Sequence, residues 1–200
     1  MSTRDYLVID LEATCDDGGL VPKHEMEIIE IGAVRVDATS LRPVAEFQTF
    51  VRPVRNPALT PFCRTLTSIE QAQVDRAPTF PVALAALRAF LTCGQGPPPL
   101  FCSWGAYDKN QFERDARHHG VALPFGEDHL NVKMAFSRAL GTTRRFGMAE
   151  ALRTAGLPLD GTHHRGIDDA RNISKLLGFI RGGSRPGEDS PRACGANRCA

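Results

Sequence analysis

The chain has 200 residues, 42% of them hydrophobic and 24% charged, enough for one α/β domain with a substantial core. Its formal net charge is +1: the last twenty residues, with four Arg against Glu188 and Asp189, sum to +2 and the rest to −1. That balance excludes a protein coating long nucleic acid through one large basic face, and suits an enzyme that grips a short end of a polyanion.

No apolar run near the start has the length of a signal peptide or a membrane span, so a cytoplasmic protein without membrane contact is expected. The six cysteines (15, 63, 93, 102, 194 and 199) contain no CxxC and read as free thiols. Zinc at Cys194 and Cys199 would lack the usual second pair of ligands.

In chain order, YLVIDLEAT (6–14) reads as a strand buried on both faces, interrupted by Asp10 and Glu12. EIIEIGAVRVD (27–37) is a second strand, in which Gly32 marks a bulge or a close backbone approach. VAEFQTFVRP (44–53) is a third, and the short connections favour antiparallel pairing. In LTSIEQAQVD, Thr67 and Glu70 have capping-box spacing and predict a helix. TFPVALAALRAFLT predicts another from Thr79, with Pro81 in its first turn.

GQGPPP (94–99) reads as a rigid loop and LFCSWG (100–105) as a buried fourth strand. A helix over Tyr107–His119 should stop at Gly120, and HLNVKMAF suggests a short fifth strand running into a helix. FGMAEALRTAG and GIDDARNISKLLGFI (166–180) give two more helices. From Arg181 onward the chain lacks apolar periodicity, so we expect a folded domain over 1–181 and a disordered tail over 182–200.

The two acids in the first strand set the chemical problem. Side chains alternate along a strand, so Asp10 and Glu12 share a face, roughly 7 Å apart. Buried carboxylates that close repel one another. Either both lie at a solvated rim, or a cation sits between them, and hard oxygen ligands suit magnesium or manganese.

The last helix supplies a further acid. Asp169 heads the stripe Ile173, Leu176, Ile180 and should face the core, whereas Asp168 aligns with the polar Asn172 and Lys175. A helix-dipole role would account for Asp168. Asp108 follows a strand at a Gly105 turn, a place for a site residue in an α/β sheet and equally for a helix cap. His164 precedes Asp169 by five residues in a Gly-bounded loop and has the chemistry of a general base. His163 would point elsewhere in an extended loop, though spacing alone does not choose between the two.

Taken together, DLEATC, SWGAYD and HHRGIDDARNI resemble the DEDDh 3′–5′ exonucleases, which include oligoribonuclease and polymerase proofreading domains. FVRPVRNPALTPFCRTLTSIEQAQVDRAPTF is similar to the enhanced-RNAi exoribonucleases, and bacterial members resembling a sporulation-kinase pathway inhibitor share these blocks. The resemblance covers about residues 5 to 180. It implies an RNase H-like mixed five-stranded sheet flanked by helices.

By position it implies Asp10, Glu12, Asp108 and Asp169 as ligands of two Mg²⁺ or Mn²⁺ ions, and His164 as the base. All five carry the family's residue types. It further implies release of nucleoside 5′-monophosphates from 3′ ends, RNA favoured over DNA. A 3′–5′ exodeoxyribonuclease and a non-catalytic regulatory use of the domain are the alternatives.

The larger animal members carry an N-terminal nucleic-acid-binding module ahead of the first strand. Here the first strand opens the chain, so stem-loop recognition is not expected. TPFCRTLTSI resembles the wall around the terminal nucleotide. Phe62, Trp104 and Tyr107 are candidate stacking partners, or core residues instead, while Arg165 or Lys109 are candidates for phosphate.

Overall fold

The computed structural model describes residues 4–92 and 97–182. Three strands come first: β1 (Tyr6–Ala13), β2 (Ile28–Val36) and β3 (Pro43–Phe50). Three helices follow, α1 (Pro61–Thr67), α2 (Gln71–Asp75) and α3 (Phe80–Thr92). The chain continues through β4 (Leu100–Ser103), α4 (Tyr107–His119), β5 (His129–Asn131), α5 (Val132–Ala139), α6 (Met148–Thr154) and α7 (Gly166–Gly182). The sheet order is β3-β2-β1-β4-β5. β1–β2 and β2–β3 are antiparallel, and β1–β4 and β4–β5 are parallel. This is the mixed five-stranded sheet flanked by helices that the sequence led us to expect.

The central strand β1 is covered on both sides. Its Tyr6 and Val8 pack with Val132 and Phe136 of α5, Leu152 of α6 and Ile173 of α7. Its Leu7, Ile9 and Leu11 pack on the other side with Phe80 and Leu87 of α3 and Phe112 of α4. Asp10 and Glu12 therefore continue the row that faces α7.

Gly32 stands opposite Asp10 in the sheet. A Cβ there would lie 2.1 Å from the carbonyl carbon of Gly166 and 2.2 Å from the nitrogen of Ile167. The expected close approach is real: the first turn of α7 rests directly on the backbone of β2.

One capping assignment needs correction. The helix placed after Thr67 begins later, because Thr67 is the last residue of the separate helix α1 and its hydroxyl bonds back to the Cys63 carbonyl (2.8 Å). Ser68 then turns left-handed (φ 58°) and ends that helix. The capping box lies three residues on, where the Glu70 N–H donates to Gln73 Oε1 (2.7 Å). Helix α1 itself starts from Thr60, whose hydroxyl accepts from the Cys63 N–H (3.0 Å), with Pro61 in the first helical position.

The third strand stops at Phe50, short of Pro53. α4 ends at Gly120 in the left-handed conformation (φ 63°), as read. α7 continues through Arg181 to Gly182, past the point where helical periodicity was expected to end. Of the tail expected to be disordered over 182–200, Gly182 closes α7 and the rest lies outside the described residues, as do Cys194 and Cys199. Part of the GQGPPP loop lies outside them too. Cys15, Cys63 and Cys102 are free thiols. Among the described residues no helix is long and apolar enough to cross a membrane.

Candidate active site

Asp10, Glu12 and Asp169 each direct a carboxylate oxygen into one spot, all within 4.8 Å of one another. Two come from β1 and one from the first turn of α7, and the Gly32–Gly166 contact holds those elements at that distance. Asp169 points inward, as its stripe required, and is 4% exposed. Asp168 points outward: it accepts from the Thr162 N–H (2.9 Å) and pairs with Arg171 (2.9 Å), pinning the loop before α7.

Asp108 opens α4 just beyond β4, the parallel neighbour of β1. It is 3% exposed, and its Oδ1 accepts from the Leu11 N–H (3.1 Å) between the two β1 acids. It borders the same cavity of about 400 Å³ as Asp10, Glu12 and Asp169. Trp104 and Tyr107 line that cavity, so two of the three aromatic candidates are brought to it. Phe62 is not part of the lining; Leu66, one turn further along α1, takes that place.

Neither basic candidate lines the cavity. Arg165 is spent on the buried Glu30: its Nε lies 3.1 Å from Glu30 Oε2, and its guanidinium sits 5.3 Å from the Phe50 ring centre. Lys109 donates to the Glu127 carbonyl (3.2 Å).

The histidine loop is not extended. His164 takes a left-handed conformation (φ 63°), uncommon for a residue with a Cβ and often found at functional sites. That turn brings both imidazoles to one side, stacked with centroids 4.0 Å apart. The two therefore both border the cavity. His163 Nδ1 lies 2.9 Å from Asp169 Oδ2, and the His164 backbone N–H donates to the same oxygen (3.0 Å).

Electrostatics make the acids a frustrated group. Burial, then repulsion from Asp169, Glu30 and Asp108, pushes the Glu12 carboxyl up to about 9. Burial likewise raises Asp10 well above the carboxylate range, with Asp108 and Glu12 adding to it. Asp108 is raised by burial to about 6, although hydrogen bonds from Leu11 and Ser103 oppose the shift. Asp169 is raised by burial and held back by His163. The His164 imidazole is lowered by burial and by its neighbour His163. Among the described residues no Lys or Arg forms an ion pair with Asp10, Glu12, Asp108 or Asp169.

Two residues of consequence escaped the sequence reading. Glu30 is fully buried and accepts from Gln48, Arg165 and the Gly166 N–H, which seats α7. The signal was present: an acid two residues before Gly32 in an apolar strand is the same anomaly that marked Asp10 and Glu12. Lys133, in the first turn of α5, lines the cavity with its ammonium 5.9 Å from the Trp104 ring centre.

Comparison with known proteins agrees with this geometry. The sequence pattern of the exonuclease family matches residues 7–177. ERI1 exoribonuclease 3 of Mus musculus is 30% identical over 179 residues, covering 86% of this chain and 52% of the relative. The chain thus spans about half the length of that curated relative. The probable 3'-5' exonuclease KapD of Bacillus subtilis is 28% identical, over 90% of this chain and 86% of KapD.

The nuclease domain of 3'hExo, a DEDDh family member solved bound to rAMP, superposes with a TM-score of 0.83 at 28% identity. The match covers 90% of this chain and 93% of that one. With an acidic cavity at the C-terminal end of β1 and the start of α7 and a family match running through both elements, this chain belongs to the exonuclease family and is related to its ERI1-type and KapD members.

Proposed function

We propose that this protein is a metal-dependent 3′–5′ exonuclease that releases nucleoside 5′-monophosphates, with RNA ends as preferred substrate. The observation that carries the reading is the convergence of Asp10, Glu12 and Asp169 oxygens within 4.8 Å, beside two histidines in an open cavity. Preference for RNA is supported by relatives named as exoribonucleases and by the rAMP complex of 3'hExo.

The donor set fits divalent cations. Buried carboxylates whose protons are held tightly, with no Lys or Arg among the described residues paired to them, form an all-oxygen site short of positive charge. Asp10, Glu12 and Asp169 would hold Mg²⁺ or Mn²⁺, two ions by the family pattern, with Asp108 in support. Ions bound there supply the positive charge that offsets the acids and the phosphate.

His164 is assigned as the proton acceptor. Its lowered pKa keeps the imidazole neutral near pH 7, the state able to take a proton from attacking water. His163 is assigned to orient Asp169 through their 2.9 Å contact. Trp104 and Tyr107 offer aromatic faces to the terminal base.

The test is incubation with 5′-labelled RNA and Mg²⁺, with and without EDTA, repeated on a matched DNA oligomer. A ladder shortened from the 3′ end and abolished by EDTA is expected. Faster shortening of DNA would transfer the assignment to an exodeoxyribonuclease. No shortening of either strand would overturn the catalytic reading.

A further inference from the structure

Away from the carboxylates, the chain from His129 to Ala149 contains Lys133, Arg138, Arg144 and Arg145 and no Asp or Glu. This stretch folds as β5, α5, the loop leading to α6 and the first two residues of α6. A second cavity, about 190 Å³, opens between α5 and that loop, bordered by Lys133, Ser137, Arg138, Thr142, Thr143 and Arg145. Lys133 borders this groove and the acidic cavity alike, so the two adjoin.

The charges in the groove are largely uncommitted. Arg144 is taken: it pairs with Glu150 and lies against the Phe146 ring, 4.7 Å from its centre. Arg138 and Arg145 are exposed and form no ion pair among the described residues. Like charges collected on one strip repel one another and lower stability unless an anion is met there. Lys133 and Arg138 are five residues apart on α5, roughly 7.5 Å along its axis. That length matches about two stacked nucleotides at ~3.4 Å each.

We propose that this groove holds the phosphates of the substrate strand lying 5′ to the nucleotide in the acidic cavity, with Lys133 at the junction and Arg138 and Arg145 further along. The proposal rests on the exonuclease reading above and adds the exit path of the strand. The exposed Thr143 beside the arginines adds a hydroxyl of the kind that commonly contacts phosphate oxygens. Contacts of this sort position a strand without reading its sequence, so the groove should extend the footprint and leave base preference alone.

The test compares uridine dodecamer with the dinucleotide UpU, which is too short to enter the groove, in the presence of Mg²⁺. For Arg138→Ala/Arg145→Ala, the ratio of the dodecamer KM to the UpU KM should rise about tenfold. The salt dependence of log(kcat/KM) on the dodecamer should become shallower by about 1.4, at ~0.7 per phosphate lost from a single strand. Arg138→Glu/Arg145→Glu should raise the ratio further, and Arg88→Ala/Arg117→Ala, on remote helices, should not move it.

An unchanged ratio and an unchanged salt slope would overturn the groove. Absence of hydrolysis by the wild type would instead count against the catalytic reading. Fluorescence anisotropy of labelled dodecamer in EDTA then decides the groove separately: weaker binding by the double variant supports it, and equal binding, or none by the wild type, refutes it. Unchanged thermal melting of each variant confirms that folding is intact.

Discussion

The two neighbouring histidines stand differently toward Asp169. Asp169 receives a ring nitrogen from His163 and a backbone N–H from His164, so the left-handed turn at His164 leaves that imidazole out of the direct contact. We expect His164→Ala to lose about 10²–10⁴-fold in kcat, the usual worth of a general base, while Mg²⁺ still raises its melting temperature. His163→Ala should cost far less, near the ~1 kcal/mol of one hydrogen bond, read in the same RNA assay. A larger loss at His163 would exchange the two roles.

Glu12 offers a second test at this scale. Its carboxyl sits near 9 in the fold against 4.5 ordinarily, so between those values the fold keeps a proton that the unfolded chain releases. Stability of the metal-free protein therefore falls as pH rises through that window. Glu12→Gln removes the titration. Its melting temperature without metal should match the wild type near pH 4.5 and exceed it increasingly toward pH 9, while its hydrolysis of RNA falls. Melting curves that keep a constant offset across that range would refute the account.

Between elements, the decisive contact is α7 against β2. No side chain separates Gly32 from the Gly166–Ile167 peptide, and Glu30, two residues earlier, accepts from the Gly166 N–H (3.1 Å) and from Arg165. A methyl group at Gly32 would meet backbone, which cannot swing aside. Gly32→Ala should cost about 3 kcal/mol or more, at the upper end for overpacking, or roughly 6–12 °C in Tm. Because the same contact sets the distance from Asp169 to Asp10, turnover should fall together with stability. A Gly32→Ala protein that melts normally and cuts RNA normally would show that α7 is seated by something else.

Across the molecule, the mixed sheet collects carboxylates that are far apart in sequence. β1 lies between an antiparallel partner, which docks α7, and the parallel strand β4, which delivers Asp108 at the head of α4. The result is a fold carrying mutual repulsion at one end of its central strand. Mg²⁺ at about 100 times its Kd should stabilise it by ~2.7 kcal/mol, roughly 5–11 °C in Tm. That increment should be largest near pH 8 and shrink toward pH 5, because protons compete for the same oxygens. Calorimetry with and without EDTA at the two pH values checks both size and sign.

The sequence by itself determined most of the elements and singled out the candidate acids. Alternation in YLVIDLEAT placed Asp10 and Glu12 on one face, and the apolar stripe of α7 turned Asp169 inward and Asp168 outward, because such periodicities are local properties of the backbone. Composition could not say that Arg165 is consumed by Glu30, that Phe62 stands outside the cavity, or that Lys133 enters it. Each depends on a neighbour more than 30 residues away in the chain or on the docking angle of a helix. Nor did spacing show that His164 turns left-handed and brings His163 into the site. Only the tertiary structure decided these, since the partner that fixes each side chain is supplied by another element once the sheet has formed.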